Sequence, residues 1–227
     1  LLWPNSERPF KGEFMSKKWL KVALMVTAIA TGTSIQVDAE TVLYVPQDDR
    51  PVSLQYTVDT AKAAGMTVLT PPQYLISGKT YSGEAEQIWN WVEQNAGRAD
   101  VMVLSTDTLI YGGLVDSRKH NLPLSTLENR LKRIEALKAN HKNTRIYGFG
   151  TVMRSPRASG GGTEPTYYAD YGPTIFQIAA LQDKLDSGAL TEEETAKLFS
   201  LQASVPIEYL QDWFARRQTN MQINKGI

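Results

Sequence analysis

The chain has 227 residues with 24 basic and 24 acidic side chains, so its net charge is zero and it lacks the basic surplus of a nucleic-acid-binding face. Hydrophobic residues make up 42%, enough for a packed core and too many for a disordered chain. The absence of cysteine excludes disulfides, thiolate chemistry and a lipid-anchored cysteine, and two histidines are too few for a multi-histidine metal site.

From Met15 the chain reads as an export signal. Lys17, Lys18 and Lys21 form a positive start, and residues 22–30 are an apolar segment too short for a bilayer of about 30 Å. Val37-Asp38-Ala39 places small residues where a signal peptidase cuts, so cleavage after Ala39 is expected. Residues 1–14 precede this signal without targeting logic and read as an extension. The mature domain is therefore 40–227, exported to the periplasm, envelope or medium, with no stable membrane span after cleavage.

Residues 41–45 form a β-branched run that stops at Pro46 and reads as strand one. It delivers Asp48-Asp49-Arg50 into a loop. Two adjacent carboxylates repel unless a cation, a proton or an arginine compensates. The pattern fits a polar site, and equally a charged turn in which Arg50 pairs with an aspartate. Residues 53–64 read as a helix closed by Gly65, and 66–69 as strand two. Ser82 is a plausible N-cap for a helix whose Ala85, Ile88, Trp89 and Val92 share one face.

Residues 100–105 form strand three, a continuous apolar run typical of a strand covered on both sides. It opens into a polar, glycine-bearing loop holding Asp107, Tyr111, Gly112, Gly113, Asp116 and Arg118. Ser125 and Glu128 suggest a capping box for the next helix. Residues 144–149 are strand four, leading to Arg154 and Arg157. A long loop then carries Gly160-Gly161-Gly162, Glu164 and the tyrosines Tyr167, Tyr168 and Tyr171. Pro173 suits the first turn of a further helix, Thr191 with Glu194 makes a second capping box, and Ser204 starts a last helix.

Strands alternating with helices over short links imply an α/β fold with a parallel sheet, followed by a helical C-terminal segment. The alternation resembles a partial TIM-like barrel or the start of a larger doubly wound sheet. Polar and glycine-rich content falls at the strand-to-helix junctions, where α/β folds place ligands. The helix-to-strand links carry ordinary turn residues. Gly112-Gly113 permits close approach of a ligand, or simply a tight turn. The tyrosines are suited to stacking on a sugar ring or to packing. Arg217, Asn220 and Asn224 share a helix face, more often solvated than functional, and His120 and His141 read as surface residues. The triple glycine lacks the Lys-Ser/Thr of a phosphate loop, so no cofactor is expected.

Val45-Pro46-Gln47-Asp48-Asp49-Arg50-Pro51, the run from Leu109 through Tyr111-Gly112-Gly113 to Asp116-Ser117-Arg118, Met153-Arg154-Ser155-Pro156 and Glu164-Pro165-Thr166-Tyr167-Tyr168 resemble the bacterial family known as domain of unknown function 4127. The resemblance runs from about Thr41 to the end. It implies an exported or envelope protein of roughly twice this length, with the later part absent here. The family pattern usually has Leu at position 47 and Asn at 53, and often Ala at 116. It supplies no activity to carry over.

The leading expectation is a hydrolase of carbohydrate or cell-envelope polymer, using paired carboxylates as acid and base or nucleophile. Asp48 or Asp49 would be one member and Asp107 or Glu164 the other. Arg50, Tyr111, Gly112, Gly113, Arg118, Arg154 and Tyr168 would hold a small-molecule or glycan ligand. The alternatives are a non-catalytic envelope-associated binding protein, and a metal-dependent hydrolase in which Asp48, Asp49 and Asp107 hold a hard cation. Oligomeric state is open.

Overall fold

The computed structural model describes residues 39–158 and 161–227. The extension, most of the export signal and Gly160 lie outside the described residues.

Four strands form one sheet: β1 (Thr41–Val45), β2 (Thr67–Leu69), β3 (Val101–Ser105) and β4 (Arg145–Phe149). Their order is β2-β1-β3-β4, and every pairing is parallel. This corrects the expectation of a partial barrel. Successive barrel strands pair with their neighbours in sequence, whereas β1 here lies between β2 and β3. That order is doubly wound, and its direction reverses between β1 and β3.

Alternation along each strand sorts the side chains. Leu43 and Val45 of β1 and Met102 and Leu104 of β3 enter one core. Against them pack Ile88, Trp89 and Val92 of helix α2 (Ala85–Asn95) and Leu137 of helix α5 (Leu124–Asn140). Helix α1 (Gln55–Ala63) contributes no buried residue.

Beyond β3 the chain does not enter a loop, as the sequence suggests. It turns directly into a six-residue helix, α3 (Thr106–Tyr111), buried on every side. The Ser105 side chain caps it by accepting from the Thr108 N–H, and Gly112 closes it at φ 106°, a left-handed conformation that glycine adopts without a Cβ clash. The final carbonyls of a buried helix need partners from elsewhere. Trp89 Nε1 donates to Leu109 O at 2.8 Å, and Arg130 Nη1 to Ile110 O at 2.6 Å. These two bonds lock α3 between α2 and α5. A one-turn helix, α4 (Asp116–Lys119), follows.

Four expected helix starts move. Glu84, not Ser82, is the N-cap of α2, because Ser82 Oγ donates instead to Asp116 Oδ1 at 2.6 Å. Pro123 occupies the N-cap of α5 at φ −58°, so Ser125 falls inside the helix and forms no capping box. Helix α6 (Tyr168–Asp186) starts five residues before Pro173, and Tyr168 and Tyr171 belong to it. The second capping box is present: Thr191 and Glu194 bond reciprocally at the start of α7 (Glu192–Ala203). The last described helix, α8 (Ile207–Asn224), takes Pro206 as its N-cap, and Ser204, its expected start, is instead the C-cap of α7.

Helices α6, α7 and α8 share a second core around Tyr168, Ile175, Leu198 and Trp213. Ile223 of α8 joins Ile110, Tyr111 and Leu127, so α8 ties this helical layer to the α/β unit. No helix among the described residues is long and apolar enough to cross a membrane.

Candidate functional site

The carboxyl ends of β1 and β3 meet at the reversal of strand order, the position where open α/β sheets form a crevice. Thr108 closes the gap between them. Its Oγ1 donates to Pro46 O at 2.6 Å, and Leu114 N donates to Gln47 O at 3.2 Å. The loop after β1 is thereby fixed to the helix after β3.

Asp107 sits in the first turn of α3 and is 3% exposed. One of its oxygens, Oδ2, accepts three hydrogen bonds: Gln47 Nε2 at 2.8 Å, Thr151 N at 3.0 Å and Thr151 Oγ1 at 2.9 Å. Burial nonetheless raises its pKa above the ordinary aspartate value, with the three donors and the charge of Arg118 acting in the opposite direction.

Glu164 is also buried. Its Oε1 accepts from Arg154 Nε at 2.9 Å, and the Arg118 Nη1 lies 3.6 Å away. Its Oε2 is buried without a hydrogen-bond partner among the described residues. Arg154 also donates to Thr163 Oγ1 at 3.1 Å. Burial depresses the pKa of Arg118, Glu164 and Asp107 oppose that shift, and the nearby charges of Arg154 and Arg50 add to it. Asp107, Arg118, Glu164 and Arg154 thus form one electrostatic group drawn from α3, α4 and the chain after β4.

The acidic pair of the first loop divides. Asp48 is buried and closed into a local ion pair, with Arg50 Nε at 2.7 Å and Nη2 at 2.6 Å from the same oxygen. Its other oxygen accepts from the Arg50 N–H at 3.3 Å. The charged-turn alternative describes Asp48 well. Asp49 is only partly covered. Its N–H donates to Ser77 O at 2.8 Å, and its carboxylate accepts from the Tyr81 hydroxyl, whose pKa that bond raises. Asp48, Asp49 and Asp107 do not converge: among the described residues no group of three or more His, Asp or Glu is placed to hold a metal ion.

Gly112 and Gly113 face protein. A Cβ on Gly113 would meet Ser77 Oγ at 1.8 Å, and a Cβ on Gly83 would meet Gly112 O at 2.1 Å. These glycines let the 77–83 segment pack onto the end of α3, which is the close approach their sequence suggests, made by the chain itself. Tyr111 is buried with its ring 4.9 Å from that of His120, and its hydroxyl has no hydrogen-bond partner among the described residues. Tyr168 is fully buried, stacks on Trp213 at 4.4 Å and donates its hydroxyl to Pro156 O at 2.7 Å. Its ring therefore serves the second core. Asp116 accepts from Ser82 and from the Gly83 N–H, binding the 77–83 segment to α4.

His120 is not a free surface residue: Nε2 bonds Asn220 Oδ1 at 2.8 Å, and burial lowers its pKa. The expected polar face of α8 divides: Asn220 is buried and Arg217 packs 3.2 Å above the Trp213 ring, while Asn224 is exposed. A cleft of about 500 Å³ bordered by Tyr81, Glu84, Tyr111, Asp116 and His120 runs beside the group and does not include Asp107 or Arg118.

Gln47, Thr151, Ser77 and Tyr81 are the participants that sequence reasoning passes over. Gln47 alone carried a signal, being the position that departs from the usual Leu of the resembling pattern. A family model described as "Protein of unknown function (DUF4127)" matches residues 42–227. No curated protein and no solved structure matches the chain.

Proposed function

Because the chain belongs to that family of unknown function, we propose its activity from the site itself: an exported hydrolase of carbohydrate or cell-envelope polymer, with Asp107 moving the proton. The observation that carries this reading is the environment of Asp107. It is buried at the strand-order reversal, its Oδ2 is held by three donors, and its pKa is raised. A carboxyl held in one orientation and shifted toward neutral pH suits general acid–base work on a glycosidic or ester oxygen. Glu164 fixes Arg154 beside it and faces Arg118. Asp49, partly open on the same edge, is the second carboxylate a substrate would meet.

Turnover of an envelope-glycan panel by the wild-type chain and by Asp107→Asn tests this. Loss of about 10²–10⁴-fold in the variant is expected. Equal turnover by both removes Asp107 from the chemistry. A second reading, ligand binding without turnover, draws on the ion pairs that occupy Asp48 and Glu164. Ligand binding retained by Asp107→Asn, with no turnover by either protein, would favour it.

A further inference from the structure

The guanidinium of Arg118 is paired with Glu164 by charge, without a hydrogen bond. Its side chain is 13% exposed, and the nearest carboxylate oxygen, Glu164 Oε1, is 3.6 Å away, beyond hydrogen-bond length. That oxygen already accepts from Arg154 Nε at 2.9 Å. Among the described residues the Arg118 guanidinium makes no hydrogen bond, although the group carries five donors in a planar fork. None of its nitrogens is among the buried unpartnered atoms, so the open donors reach solvent, where a ligand with matching acceptors can meet them.

The surroundings narrow what that acceptor is. Arg50 and Arg154 both lie within electrostatic range of Arg118, and their own charges are engaged by Asp48 and Glu164. Arg118 is the guanidinium of the three whose fork remains open. Asp107, on the same group, is held through Oδ2 by Gln47 and Thr151 and makes no hydrogen bond with Arg118. A fork of parallel N–H donors matches the two oxygens of a carboxylate or phosphate better than a single hydroxyl.

We infer that the ligand of this edge carries an oxyanion group, carboxylate or phosphate, which the open fork of Arg118 receives while Arg154 stands beside it. This rests on the proposed ligand site and narrows it from glycans in general to acidic ones. Arg118 acts in recognition and orients the ligand against Asp107; it moves no proton.

Two matched probe pairs test it: glucuronate with glucuronamide, and glucose 6-phosphate with glucose. Each is titrated calorimetrically into the full 227-residue chain at pH 7 and low ionic strength. The acidic member of one pair is expected to bind about tenfold to a hundredfold tighter than its neutral partner, the value of a charge-assisted contact. The pair that shows the preference distinguishes carboxylate from phosphate. The preference should collapse in Arg118→Gln and return in part in Arg118→Lys, which restores charge without the fork. Equal binding of acid and neutral probes, no binding of either acid, or a preference kept in Arg118→Gln overturns the inference. If Arg118→Gln fails to fold in a thermal melt, Arg118→Lys carries the comparison alone, and an unchanged affinity for the acid in it overturns the fork. None of the probes has a glycosidic bond or a carboxylic ester to hydrolyse, so acid binding without glycan turnover would sink the hydrolase and leave Arg118 in place. Glycan turnover unaffected by Arg118→Gln would do the reverse.

Discussion

Thr151 donates twice to one oxygen of Asp107, from its backbone N–H at 3.0 Å and from its hydroxyl at 2.9 Å. The residue stands two positions beyond the end of β4, while Asp107 stands two beyond the end of β3. The bond pair therefore spans neighbouring strands and holds the carboxyl in one orientation. It also works against the burial that pushes the Asp107 pKa up.

Removing donors should raise that pKa further, because hydrogen bonds to a carboxylate favour its charged form. Thr151→Val deletes the hydroxyl bond and Gln47→Leu the amide bond. Carboxyl-carbon NMR titration should show an upward shift in each variant and a larger one in the double variant. A downward shift would mean that the bonds do not act on the ionised form.

Asp107 also makes stability depend on pH. A carboxyl whose pKa is raised on folding binds its proton more tightly in the folded chain than in the unfolded one. Folding is then favoured as pH falls through the folded value toward the unfolded value of about 3.9. Above the folded value the buried charge is a standing cost. Asp107→Asn should lose this acid-side gain. Urea unfolding at pH 7 and pH 5 should show a smaller difference for the variant than for wild type.

Asp48 has a structural role. It is buried and its oxygens are taken by the side chain and N–H of Arg50. Asp48→Ala should cost about 1–3 kcal/mol in urea unfolding, since it leaves those donors without their acceptor. Arg50 is half exposed, so solvent screens the pair, and Arg50→Gln should cost no more than about 1 kcal/mol. Turnover per folded molecule should be unchanged in Asp48→Asn. A loss comparable with that of Asp107→Asn would return Asp48 to the chemistry.

Gly83 has no room for a side chain. A Cβ there would lie 2.1 Å from Gly112 O and 2.9 Å from Ser77 N, both backbone atoms. Gly83→Ala should destabilise by about 1–3 kcal/mol through overpacking. Gly97→Ala, where nothing lies within 4 Å, is the control, and its unfolding midpoint should barely move.

Tyr168→Phe keeps the ring against Trp213 and deletes the hydroxyl bond to Pro156 O. A loss of about 0.5–1.5 kcal/mol is expected, with ligand binding unaltered. Weakened glycan binding at wild-type stability would give the tyrosine back its stacking role.

Much of the fold was legible. The strands, the parallel sheet, Gly65 after α1 and the Thr191–Glu194 capping box follow from apolar runs and short-range chemistry. Helix starts were less so. Ser82 has the residue type of a cap, but Asp116, 34 positions away, takes its hydroxyl. Helix α3 escaped notice because a six-residue helix buried all round has no polar face to give a period.

The sequence by itself determined which residues are chemically capable: the acids and arginines at strand ends, placed there because strand and loop patterns are local. Only the tertiary structure decided their employment. Strand order put β1 beside β3, and with it Gln47 beside Asp107. Packing took Tyr168 into the core and turned Gly112 and Gly113 toward the 77–83 segment. Asp48 found its partner two residues away, while Arg118 was left facing an oxygen already in use. Apart from the local pair of Asp48 and Arg50, which charges are spent and which stay open depends on distances between residues far apart in the chain, and no local pattern encodes those distances.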